Sequence, residues 1–164
     1  MNVLVRLSRL IEWLSQLGGW LAAVAVLGIL GLVALEIVLR SVFGFSTQVA
    51  DEFSGYLNVA AIYFGLAYAL KEGAFVRLEP VYRLCTGLWG LAVRWLIVCA
   101  SLAYMLVITV FFFRYAASNF AAGTTSVSFS QTPLWIPQSA IFAGSAMLVL
   151  QLAAYLLRGA RDVP

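Results

Sequence analysis

Long apolar runs alternate with short polar ones along this chain. Residues 13–35, 53–70 and 95–113 contain no Asp, Glu, Lys or Arg, and neither do residues 115–157. A helix needs about 20 apolar residues to cross the hydrocarbon core of a bilayer. The pattern predicts four such helices, near residues 17–40, 49–71, 88–113 and 136–158, in a single four-helix membrane domain spanning residues 1–164. The fold class is all-α and polytopic. The polar first half of the last uncharged run, "AASNFAAGTTSVSFSQTPLWIPQ", reads as a loop whose Pro133 and Pro137 favour extended or turning backbone.

Ahead of the first span, Val3, Leu4, Leu7, Leu10, Ile11 and Leu14 fall on one side of a helix, with Arg6, Arg9, Glu12 and Ser15 between them. This segment is either an amphipathic helix lying in the interface or the solvated start of a long first helix. A cleaved signal peptide has the same basic start, but here the apolar run continues past the usual length and no A-x-A site follows. A retained signal anchor is the better reading.

Composition fits the pattern. The chain is 63% hydrophobic and 10% charged. A water-soluble domain of this length has too little interior to hide so much apolar surface. The net charge of +3 does not indicate a nucleic-acid partner, because the basic residues are scattered between spans rather than gathered on one surface. The chain has no histidine, which removes histidine-ligated haem and zinc and the commonest general base. Cys85 and Cys99 lie on or beside one predicted helix and far apart along it, so no disulfide between them is expected. No nucleophile–base pair, metal cluster or phosphate loop is visible, and no cofactor is expected.

Charge sets the orientation. Four spans place Arg6, Arg9, Lys71, Arg77, Arg83, Arg158 and Arg161 on one side, and only Arg40 and Arg114 at the other. Lys and Arg are retained in the cytoplasm, so both termini are expected inside. The charge-rich "KEGAFVRLEP" becomes the short cytoplasmic loop, with Gly73 and Pro80 supplying its turns. Most of the five tryptophans fall near span ends, where amphipathic rings settle.

Several residues stand out within this frame. Glu36 is a carboxylate inside a span, and such residues are costly and by default suggest function. Arg40 follows one turn later in the favourable order, so a structural ion pair is expected. Removing one partner of that pair should cost more than removing both. Asp51 and Glu52 open the second span, where the helix dipole favours acids. Ala61, Gly65 and Ala69, with Asn58 on the same face, form a small-residue stripe suited to close helix packing. Gly28 with Gly31, and Ala140 with Gly144, are weaker versions. Inverted repeats and Gly/Pro-broken span pairs, which point to a transport site, are not apparent.

The order of these features resembles the small membrane subunit of tripartite ATP-independent periplasmic (TRAP) transporters. The resemblance runs over about residues 15 to 158. It rests on Arg40, on Asp51-Glu52, on "FGLAYALKEGAFVRLEPVYRL" with Gly65, Lys71 and Gly73, and on "SVSFSQTPLWIPQSAIFAGSAMLVLQ" with Pro133, Trp135 and Gly144. Where the family often has a histidine after the loop glycine, this chain has Phe75. The resemblance implies a multi-pass protein of the bacterial inner membrane that pairs with a large membrane subunit holding the substrate and sodium sites. A periplasmic substrate-binding protein would deliver an organic, commonly carboxylate-bearing, anion. The small subunit would act as scaffold and catalyse nothing. Other readings are a proton-coupled multidrug exporter using Glu36, the four-helix subunit of a tricarboxylate transporter, a non-haem membrane anchor and a membrane-embedded enzyme. The charge bias argues against the exporter, and the lack of a catalytic set argues against the enzyme.

Overall fold

A computed structural model of the protein describes residues 2–73 and 87–157. Four helices account for nearly all of them: α1 (Asn2–Phe43), α2 (Ala50–Lys71), α3 (Gly87–Ala122) and α4 (Trp135–Leu157). Each is long and apolar enough to cross a membrane. Phe75, Arg77, Glu79, Pro80, Arg83, Cys85, Arg158 and Arg161 lie outside the described residues.

Helix boundaries follow local chemistry. Glycines in the left-handed region end the first three helices: Gly44 (φ 62°), Gly73 (φ 68°) and Gly123 (φ 61°). Without a Cβ this conformation is unstrained, so a glycine just past the last turn stops a helix. The Gly73 amide then donates to Leu70 O at 3.2 Å. α1 is uninterrupted from Asn2, so the N-terminal amphipathic segment extends the first helix rather than forming a separate one. At 42 residues α1 is about 63 Å long, twice the hydrocarbon thickness.

The end of α3 and the setting of Pro137 differ from the sequence expectation. α3 continues nine residues beyond 113, to Ala122. Ala116, Ala117, Ala121 and Ala122 are strong helix formers, and Asn119 finds a partner in Gln138 at 2.9 Å. The loop therefore shortens to residues 123–134. Pro137 does not break structure, because it sits in the first turn of α4, where a missing N–H costs nothing.

The helices are arranged in the order α1, α2, α4, α3, with a smaller contact between α1 and α4. α4 is therefore the central helix and the most buried span. Ala67, Val98, Met105, Leu148 and Leu152 form the apolar core where α2, α3 and α4 meet. The most completely enclosed side chains are all small, Ala67, Ser145 and Ser15, and two of the three are polar. Large apolar residues instead cover the outside of α1 and α3, including Trp20, Leu27 and Leu30 on α1 and Leu96, Val107 and Phe111 on α3. All five tryptophans are exposed. This inside-out distribution suits a lipid solvent, where close backbone contact and interhelical hydrogen bonds hold helices together.

Candidate subunit scaffold and its polar anchors

Three polar anchors hold the bundle at its ends. The first is built on Glu36, near the end of α1. Its side chain is 9% exposed, whereas that of Arg40 is 55% exposed. Arg40 Nε donates to Glu36 Oε1 at 2.7 Å, one turn away on the same helix. Three further donors come from the turn after Gly44. Ser46 Oγ reaches Oε1 at 2.6 Å, and Thr47 Oγ1 and the Thr47 amide reach Oε2 at 2.5 and 3.2 Å. The expected ion pair is present, but it is one part of a larger arrangement. Glu36 clamps the α1–α2 turn onto the helix that precedes it, and both its oxygens are occupied. Removing Arg40 therefore leaves Glu36 bonded, so the expectation that the double substitution would be milder than either single one no longer follows.

The second anchor is Glu52, in the first turn of α2. It accepts from Tyr56 Oη at 2.6 Å, one turn along the same helix. It also accepts from Ser130 Oγ, from the loop between α3 and α4. That loop is a small hairpin, with a bridge between Thr125 and Pro133. The Ser126 amide donates to Thr132 O at 2.8 Å and the Leu134 amide to Thr124 O at 3.1 Å. Pro133 fits because it contributes a carbonyl, accepting from the Ile136 amide at 3.2 Å as α4 begins. Trp135 then packs edge-on against Phe120 of α3, with ring centroids 5.5 Å apart. Asp51, the neighbour of Glu52, is exposed and plays no part in this link.

The third anchor lies at the opposite end of the spans. Lys71 Nζ donates to Gln16 Oε1 at 2.8 Å and lies 3.4 Å from Glu72 Oε1. It also sits 5.6 Å from the centre of the Tyr68 ring. Nearby, Ser15 Oγ donates to Gln151 Oε1 at 3.0 Å inside the bundle, and Tyr155 Oη donates to Leu70 O at 3.1 Å. Together these bonds tie α1, α2 and α4. Sequence reasoning had Lys71 but missed Ser15, Gln16, Gln151 and Tyr155. A polar residue at a span end is common, and helical rotation alone decides whether it turns inward.

Between the anchors the helices meet through small residues, though not mainly those of the expected stripe. Ala61, Gly65 and Ala69 are half-buried, and a Cβ built on Gly65 would sit 3.6 Å from Ala22 Cβ, an ordinary contact. Asn58 is exposed and bonds to no described residue of another helix. The tightest approaches are elsewhere. A Cβ on Gly144 would lie 2.5 Å from the Tyr63 carbonyl carbon, and one on Gly18 would lie 2.6 Å from Phe64 O. One face of α2 thus meets α1 and another meets α4, so no single stripe describes its packing. Gly28 faces Leu57, whereas Gly31 faces open space.

The arrangement is that of a packed scaffold. Among the described residues, every buried side-chain nitrogen and oxygen is hydrogen-bonded. Comparison with protein families supplies the wider setting. Residues 29–162 match the family described as tripartite ATP-independent periplasmic transporters, DctQ component. Comparisons with curated proteins and with solved structures give no match. The matched span begins within α1, passes through both carboxylate anchors and runs beyond α4. With the family match covering most of its length and four membrane-spanning helices in its fold, the chain belongs to the DctQ-component family, the small inner-membrane subunit of TRAP transporters.

Proposed function

We propose that this chain is the immobile scaffold subunit of a sodium-driven importer of organic, carboxylate-bearing anions. The transport and sodium sites lie in a large membrane subunit, and a periplasmic binding protein delivers the substrate. The observation that carries this reading is the satisfied interior: Glu36, Glu52, Gln138 and Gln151 are each committed to partners within the chain. A transport site needs polar groups that can exchange partners, and an importer built on this chain must find them elsewhere. The exposed apolar face of α1, with Trp20, Leu27 and Leu30, leaves room for a large partner.

This reading makes the chain an obligate partner. Reconstituted alone, it is expected to move no substrate under a sodium or proton gradient, and to accumulate poorly without its large subunit. Uptake assays in vesicles with and without that subunit check this. Gradient-driven flux from the isolated chain would overturn the scaffold reading.

The orientation places both termini in the cytoplasm, on the Lys and Arg asymmetry. Single cysteines at positions 75 and 125, in a background lacking Cys85 and Cys99, give the check. An impermeant maleimide added to intact cells is expected to label position 125 and spare position 75. The reverse pattern would invert the topology.

A further inference from the structure

The outward face of α3 carries a feature that the scaffold role does not use. A groove of about 690 Å³ runs along it. Leu106, Val107, Val110 and Phe111 line one end of the groove, and Arg114, Tyr115 and Ser118 line the other. All seven residues lie on α3, and all are exposed. The Phe111 and Tyr115 rings stack at 5.9 Å with their planes 15° apart, giving the groove a rigid aromatic wall. Arg114 forms no ion pair or hydrogen bond with any described residue.

Position along the helix gives this arrangement meaning. Arg94 and Arg114 are the charged residues of α3, twenty positions apart. At about 1.5 Å per residue they are separated by about 30 Å, the thickness of the hydrocarbon core. Arg114 therefore sits at headgroup level, with the apolar half of the groove directed into the bilayer. From Arg114 to Leu106 the groove descends about 12 Å, most of the depth of one leaflet. An unpaired guanidinium at headgroup depth, continuous with an apolar trough below it, matches a phosphate joined to an acyl chain. A planar fork of five donors suits a phosphate better than a point charge does.

We propose that this face of α3 holds one phospholipid of the outer leaflet, with its phosphate on Arg114 and one acyl chain along Leu106, Val107, Val110 and Phe111. Ser118 and Tyr115 flank the headgroup. The bound lipid seals this side of the bundle, where no other described helix packs.

The leaflet assignment rests on the orientation proposed above, but binding itself does not. Maleimide labelling at position 125 tests the first and lipid retention tests the second. The experiment uses the assembled complex of this chain with its large membrane subunit, delipidated in detergent and examined by native mass spectrometry. Three probes are added in turn: phosphatidylglycerol, dioleoylglycerol (which lacks the phosphate) and glycerol phosphate (which lacks the chains). One phosphatidylglycerol per small subunit is expected to survive, and neither of the other probes.

Arg114→Gln is expected to weaken retention roughly tenfold or more, as loss of a charge-assisted bond does. Val110→Trp, which fills the groove, is expected to abolish it. Because both side chains are exposed, the thermal midpoint of the complex should stay put and so confirm that each variant folds. The proposal is overturned by absence of a retained lipid, by equal retention in wild type and both variants, or by equal retention of dioleoylglycerol. It is also overturned if a photo-crosslinker at position 107 captures the large subunit instead of lipid.

Discussion

Gly144→Ala is expected to force α2 and α4 apart and to lower the yield of assembled complex. The added Cβ would lie 2.5 Å from the Tyr63 carbonyl carbon, 2.6 Å from its oxygen and 2.8 Å from Tyr63 Cβ. Two of these three atoms are backbone and cannot rotate away, so a whole helix has to move. Overpacking of this kind costs about 1–3 kcal/mol. In a membrane the loss is felt sharply, because helix association there depends on close packing rather than on expulsion of water. α4 is the helix that contacts all three others, so the displacement spreads through the bundle. Two controls separate this effect from a general intolerance of glycine replacement. Gly65→Ala places its methyl in ordinary contact with Ala22, and Gly31→Ala meets open space. Both should melt with the wild type when unfolding of the complex is followed by fluorescence-detected size exclusion after heating. If Gly144→Ala melts with them, the close approach of α2 to α4 is not made in the membrane.

Glu36→Gln is expected to be far more damaging than Arg40→Gln, and the double substitution no better than Glu36→Gln alone. The carboxylate gathers Ser46 Oγ, Thr47 Oγ1 and the Thr47 amide as well as Arg40 Nε. A neutral amide can accept on only one side, and its NH₂ group would face a hydroxyl or the guanidinium. The turn between α1 and α2 would then lose its attachment, and with it the angle at which the two helices meet. Arg40, with more than half of its side chain exposed, has water and headgroups available once Glu36 is gone. The measurement is complex yield and uptake for the three variants side by side. A proton-coupling carboxylate gives a different result: Glu36→Gln would assemble at wild-type yield and fail only in gradient-driven uptake. That outcome would remove Glu36 from the scaffold and return it to transport chemistry.

Much of this protein was decided locally. The four helices follow from uncharged runs long enough to span a bilayer, and no tertiary contact is needed to recognise them. Three of their ends follow from Gly44, Gly73 and Gly123, each just past the last helical turn. The pairing of Glu36 with Arg40 follows from a four-residue interval on one helix, which places two side chains on the same face in any context. The extension of α3 to Ala122 was also written locally, in its alanines, but the neighbouring Ser, Thr and Pro residues masked it.

What the tertiary structure decided lies between elements. Ser130 meets Glu52 across 78 positions, and Ser15 meets Gln151 across 136. Neither pairing has a sequence signal, because Ser130 is one of several serines in the loop before α4, and Ser15 and Gln151 face inward only through the rotation of their helices. The same holds for the glycines. Gly65 sits in a well-formed small-residue stripe yet makes ordinary contact, while Gly144, in a weaker one, touches the backbone of Tyr63. A stripe records that a helix is able to approach another closely. Which helix it meets, and at which residue, is fixed by the crossing angles of all four together, and in lipid every face of these helices is apolar enough for hydropathy to leave that choice open.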